Sequence, residues 1–271
     1  MQITAGPQLT VPRISLVTAA ETITPAESRW FDTLDIEFEG LPSVQIFPTV
    51  CTNGEVVKLP RDMGSNDSYF PYELYAIDRC STYQDRDRWG RVTRKLLSGE
   101  STGIEAQLFS DPDSFGNPNL VSEAADLAGA AVSAVHALAE LEQALATVGN
   151  TRGMIHIRPG ILTLLVADDA LHREGNVYYT AMDNIVVPGR GYLGTGPAGQ
   201  AISTTSEWMY ASTGVVVVRR SEIRYSPEMA DPEYMRVDRA INDIEVRAER
   251  VALAALDTSG SVFAKQVNPS L

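Results

Sequence analysis

The sequence pattern closest to a cofactor motif is Gly189-Arg190-Gly191-Tyr192-Leu193-Gly194, a GxGxxG run that follows the strand-like NIVVP. In a dinucleotide fold this turn opens a helix whose N-terminus meets the pyrophosphate. Here TGPAGQ comes next, and its Gly196, Pro197 and Gly199 oppose a helix. No acidic residue closes a following strand, so the run reads as a surface loop. There is no phosphate-binding GxxxxGK[ST] and no GxSxG nucleophile turn. The histidines, His136, His156 and His172, lack metal-ligand spacing. His156 falls in a strand-like run and His136 in an Ala-rich helix face, and both read as core histidines with their ring nitrogens satisfied. Cys51 and Cys80 give neither a CxxC nor a disulfide framework. They flank a hairpin and read as free thiols of a reducing compartment. The basic run Arg86, Arg88, Arg91, Arg94 and Lys95 is offset by Asp85, Asp87 and Glu100, and reads as a solvated or intersubunit helix face. These residues assemble no catalytic centre, no cofactor site and no metal site.

Composition narrows the classes further. The 271 residues carry 22 Lys+Arg and 35 Asp+Glu, a formal charge of −13. That excludes a general nucleic-acid binder, which needs a basic face to displace counterions. A 44% hydrophobic content supports a packed core. No run approaches the ~20 apolar residues that span a bilayer; the longest candidate, residues 124–146, is broken by Asp126, His136, Glu140 and Glu142. The N-terminus lacks the basic start and apolar stretch of a signal peptide. The expectation is a soluble protein kept in the cytosol.

Residues 1–29 are punctuated by Pro7, Pro12 and Pro25 and show no core pattern. They read as an arm held only by neighbouring subunits. Residues 30–50 alternate in short strand-like pieces. Residues 51–80 read as a long hairpin whose tip, RDMGSND, holds the turn formers Gly64, Asn66 and Asp67. It looks like an extension rather than part of a closed sheet. Trp89, Val92, Leu96, Ile104 and Leu108 predict a helix over 82–110, ended by DPDSFGNPN. An Ala-rich stretch with Leu127, Val135, Leu138, Leu141 and Leu145 predicts a second helix over 121–147, stopped at Gly149-Asn150. A strand at 153–157 and a helix opened by Pro159 follow. The remainder is strand-like, and the class is α+β.

That order of elements resembles the Hong Kong 97-type major capsid protein of tailed bacteriophages, most of all the short capsid proteins of phages infecting actinobacteria. RKLLSGESTGIEAQLFSDPDSFGNP resembles the end of that family's spine helix and its glycine-bearing turn. MIHIRPGILTLL resembles the A-domain strand that enters a helix through Pro. NIVVPGRGYLGTGP resembles the following strand and apical loop, and INDIEVRAERVALAALDTSGSVFAKQ resembles the closing P-domain strands. The resemblance covers nearly the whole chain, and its specificity lies in the order of the motifs.

The resemblance implies an N-arm at 1–30, strands and the E-loop hairpin at 31–80, and the spine helix with the first part of the P-domain at 81–118. The A-domain would run over 119–225, and returning P-domain strands over 226–271. It implies a non-enzymatic major capsid protein that self-assembles as pentamers and hexamers into an icosahedral shell around double-stranded DNA. The DNA would be packaged without specific binding, in a virion assembled in the host cytoplasm, with no cofactor and no membrane. Separate scaffolding, portal and decoration proteins are the implied partners. An encapsulin-type nanocompartment shell and another phage head or tail protein are the alternatives. Gly189, Gly191 and Gly194 would form an A-domain tip where copies converge around an axis. The arm and hairpin would project, with few contacts to residues 120–225. Some relatives join an E-loop Lys to an Asn on a neighbour, assisted by a Glu seven residues after that Asn; the matching residues here are Lys58, Asn242 and Glu249.

Overall fold

A 23-residue helix, α2 (Arg88–Ser110), links two sheets. Val92, Leu96, Ile104 and Leu108 lie along its buried face, at the steps the sequence predicts. It stops at Asp111, which takes the left-handed conformation (φ 44°) just before Pro112. The computed structural model describes residues 9–23, 34–37, 66–80, 87–148, 152–203, 205–226, 236–238, 243–257 and 260–271.

The first sheet is six-stranded and built on β14 (Asp243–Ala255). One edge of β14 receives β11 (Val217–Arg220), β12 (Arg224–Ser226) and β13 (Arg236–Asp238) in succession. The other edge receives β4 (Tyr72–Cys80): Ala252 pairs with both Arg220 and Tyr72, which therefore lie on opposite sides of it. β1 (Glu21–Ile23) adds parallel to β11. The N-terminal half of α2 lies on this sheet, where Val92 and Leu96 pack with Ala248, Leu74 and Ala76. Gly103 permits the approach, since a Cβ there would sit 3.0 Å from the Leu74 side chain.

The second sheet is seven-stranded. Its order is β5 (Ala124–Asp126), β15 (Val262–Val267), β10 (Glu207–Thr213), β6 (Gly153–Ile157), β9 (Ile185–Pro188), β8 (Val177–Tyr179) and β7 (His172–Glu174). β6 and β9 are buried throughout, as continuous apolar strands must be in a sheet covered on both faces. Alternation sorts their side chains. Ile155, Ile157 and Val186 pack under helices α4 (Ala134–Thr147) and α5 (Pro159–Ala167), while Met154 and Val187 face the core shared with α2. A two-stranded pair, β2 (Leu34–Glu37) with β3 (Asn66–Tyr69), completes the described strands.

Several expectations need correction. The single helix over 121–147 is two pieces. A one-turn helix, α3 (Leu120–Glu123), is capped by Asn119; β5 then joins the sheet edge beside β15, and α4 begins only after the Ser133 cap. Gly129 has φ +121°, which no helix accommodates, and the carbonyls of Leu127 and Ala128 turn to accept from Lys265 Nζ at 3.2 Å each. Sheet pairing overrides the helix propensity of the alanines. The return arm of the hairpin is also more than an extension. β3 pairs with β2, but after Pro71 the chain continues as β4 inside the six-stranded sheet. Asn66 and Asp67, expected in the turn, instead open β3 and pair with Glu37 and Ile36; residues 61–65 of the tip and residues 81–86 lie outside the described residues.

The sheets also divide the chain differently from the boundaries above. β11 and β12, assigned with residues 119–225 as one domain, belong largely to the six-stranded sheet; the chain crosses over at Gly214 (φ +81°) between β10 and β11. β15, expected among the returning strands of the other domain, lies inside the seven-stranded sheet between β5 and β10. The arm does not merely project. Helix α1 (Leu16–Ala19) packs on α2 and β9, Leu16 is fully buried, and β1 pairs with β11. These are contacts with residues inside 120–225, made within one chain.

Candidate functional site

Acidic side chains of α2 and its neighbours form a polar seam along the helix. At its start, Asp78 on β4 is buried and accepts from Arg91 and Lys95. Burial pushes the Asp78 carboxyl up, but the hydrogen bonds and charges of Arg91 and Lys95 outweigh it and hold it below the usual carboxylate range. The basic run is thus partly a sheet-docking device; Arg94 instead reaches Asp87 in a surface pair. Mid-helix, buried Glu100 accepts from Arg250 of β14 at 2.8 Å and Arg220 of β11 at 3.4 Å. One turn on, Glu105 accepts from the Leu16 backbone N–H, from Ser101 Oγ and from the Gly191 backbone N–H, each at 3.0 Å.

Through Gly191 this seam holds the glycine loop. Gly189, Gly191 and Gly194 are buried within the chain. A Cβ on Gly191 would lie 2.3 Å from the Thr102 carbonyl oxygen of α2, and one on Gly189 would enter the Tyr192 ring. Gly194 has φ +78° and closes on the Arg158 side chain, whose guanidinium pairs with Glu207 at 2.8 Å. Within the chain these glycines serve close approach to α2 and to neighbouring side chains. A three-residue 3₁₀ turn, Pro197–Gly199, follows, not the long helix that a dinucleotide turn opens. Tyr192 stacks on Phe109 with centroids 5.5 Å apart and meets His156 Nδ1 at 2.9 Å. Burial first, and the Glu105 charge second, push the Tyr192 phenol well up.

His156 is a core histidine, with Ser212 Oγ 3.1 Å from its Nε2. His136 is not in the core: it is exposed in the first turn of α4, beside the Ser133 cap. It lines a groove of about 720 Å³ along the outer face of α4 and the loop at Leu127, Ala128 and Val132. Lys265, 2% exposed, sits beside it and pairs with Glu140 at 2.7 Å.

Of the cross-link set, Lys58 and Asn242 lie outside the described residues, as does Cys51. Glu249 is on β14, paired with Arg224 and Tyr75. It stands six residues beyond Asp243, roughly 20 Å along a regular strand. Glu249 is also engaged by Arg247 Nε at 3.1 Å. Among the described residues no group of three His, Cys, Asp or Glu could hold a metal, and no helix is long and apolar enough to cross a membrane.

No family model matches the sequence, and no curated protein is similar to it. Solved structures are similar over the whole chain. The capsid of a native GTA particle is 9% identical with a TM-score of 0.59, covering 99% of this chain and 94% of that one. A structure of Mycobacterium phage Cain is 10% identical with a TM-score of 0.56, covering 97% and 91%. The holo-SrpI encapsulin complex from Synechococcus elongatus PCC 7942 is 11% identical with a TM-score of 0.54, covering 98% and 94%. Near-complete coverage on both sides shows the fold: this chain shares the α+β architecture of these solved structures.

Proposed function

We propose that the chain is a shell subunit, the major capsid protein of a tailed phage, assembling with copies of itself into an icosahedral head around double-stranded DNA. The observation that carries this reading is the end-to-end likeness to the capsid of a GTA particle, over 99% of this chain. A scarcity of catalytic groups fits a building block. The net charge of −13 fits a container from which packaged DNA must be released, because a basic wall would retain it. The oligomer is a closed shell of pentamers and hexamers held by heterologous contacts. Scaffolding, portal and decoration proteins are its proposed partners, and the virion is its proposed location.

Expression of the full chain followed by electron microscopy tests this reading. Closed icosahedral particles are the expected result; a chain that stays monomeric with and without co-expressed partners overturns it. The likeness to an encapsulin, at a TM-score of 0.54, supports a second reading, a nanocompartment shell. Particle diameter and nucleic-acid content separate the two: a head is large and holds DNA, whereas a compartment is small and holds protein.

A further inference from the structure

Three parts of the chain that are distant in sequence converge on one carboxylate. Glu105 is 1% exposed. Its Oε1 accepts from the backbone N–H of Leu16 in the N-terminal segment and from Ser101 Oγ; its Oε2 accepts from the backbone N–H of Gly191 in the loop after β9. All three donors are neutral. A buried carboxylate depends on each of its donors, because nothing else replaces the water it has lost. The two remote donors are also keyed to this place by shape. The Leu16 side chain is fully buried in the same core as Ile104, Leu108 and Tyr192. Gly191 sits so close to α2 that no other residue fits there without displacing the Thr102 carbonyl.

Withdrawal of the N-terminal segment would leave Oε1 with Ser101 alone, and lifting of the loop would leave Oε2 with none of these donors. Either loss opens the carboxylate to water, which then competes with the partner that remains. We propose that Glu105 is a latch: it makes docking of residues 15–23 and seating of residues 189–194 one cooperative event, so that release of either loosens the other. The coupling is reciprocal, as any equilibrium coupling must be. The proposal does not rest on the shell reading. Within that reading, it gives a route by which capture of the arm by a neighbouring copy would reach the seven-stranded sheet.

Hydrogen–deuterium exchange of the full-length subunit, resolved to the Leu16 and Gly191 amides, tests it. Glu105→Gln keeps the side chain's shape but turns one acceptor into a donor facing an N–H. Both amides should exchange faster together, by about ten- to a hundredfold, while β6 and β9 keep their protection. Leu16→Ala should speed the Gly191 amide in the unaltered chain and add nothing further in the Glu105→Gln background. An equal increment in both backgrounds would mean that packing, not the carboxylate, carries the coupling, and would overturn the latch. If Glu105→Gln loses protection throughout, Leu16→Ala alone decides: a Gly191 amide indifferent to it overturns the proposal.

Discussion

His156 and Tyr192 meet inside the second sheet, with Nδ1 2.9 Å from the phenolic oxygen. The imidazole touches two hydroxyls, those of Tyr192 and Ser212, and no carboxylate appears among its hydrogen-bond partners. Burial pushes its pKa down to about 3, against about 6.5 in an unfolded chain. Between those values the unfolded chain binds a proton that the folded one refuses. His156 should therefore destabilise the fold progressively as pH falls below about 6.5, by roughly 2 kcal/mol at pH 5. Urea midpoints at pH 7.5 and pH 5 for the native chain and for His156→Gln measure it. The variant should lose less on acidification; equal losses would refute the assignment.

Glu100 bridges α2 to two strands through Arg250 and Arg220. Removing the carboxylate leaves two largely buried guanidinium groups facing each other. Glu100→Gln should cost about 3–5 kcal/mol of unfolding free energy. Replacing all three residues together, as Glu100→Leu, Arg220→Met and Arg250→Met, should recover most of that loss, because desolvated ion groups add little net stability over well-packed apolar ones. A triple variant as unstable as the single one would show instead that the ions hold the α2 docking geometry.

The N-terminal segment is part of the chain's own core. Leu16 is fully buried, whereas Leu9 and Val11 are each 54% exposed. Leu16→Ala should cost about 2–5 kcal/mol, and Val11→Ala should stay within about 0.5 kcal/mol in the unassembled subunit. A neutral Leu16→Ala would show that the segment docks elsewhere in solution.

Much of this fold is legible in the amino-acid sequence. The spacing of Val92, Leu96, Ile104 and Leu108 marks the long helix, because a buried face repeats at the helical period. GMIHI and NIVVP read as strands because short, mainly apolar runs with β-branched residues suit a sheet buried on both faces. The break at residues 124–133 is not legible. Alanines favour a helix in isolation, and the strand that captures Ala124–Asp126 begins far along the chain at Val262. Docking of the N-terminal segment rests on Leu16, a few small neighbours (Val17, Ala19 and Ala20) and a three-residue strand, too short a stretch for a periodic signal. Glu105 sits in IEAQLF like any helical surface acid; only the folded chain brings Leu16 and Gly191 to it. The glycines of residues 189–194 signal close approach, but not to which surface, and here that surface is the chain's own α2.

Arg247 bears on the expectation for a covalent bond between copies. Its guanidinium lies over the Tyr75 ring at 4.4 Å, pairs with Glu73, and reaches Glu249 Oε2 at 3.1 Å. An isopeptide bond between Lys58 and Asn242 needs a neutral amine to attack the carboxamide carbon, with loss of ammonia. A nearby carboxylate must first take the ammonium proton, and it does so most readily in a dry site without a competing cation. Glu249 keeps 27% of its side chain exposed, with Arg247 Nε 3.1 Å away, so its surroundings are neither dry nor free of a competing cation. Assembled particles, boiled and run on a denaturing gel, should give a single band near 29.4 kDa. Arg247→Ala should not change this pattern. A ladder of multiples that collapses in Lys58→Arg would overturn this expectation.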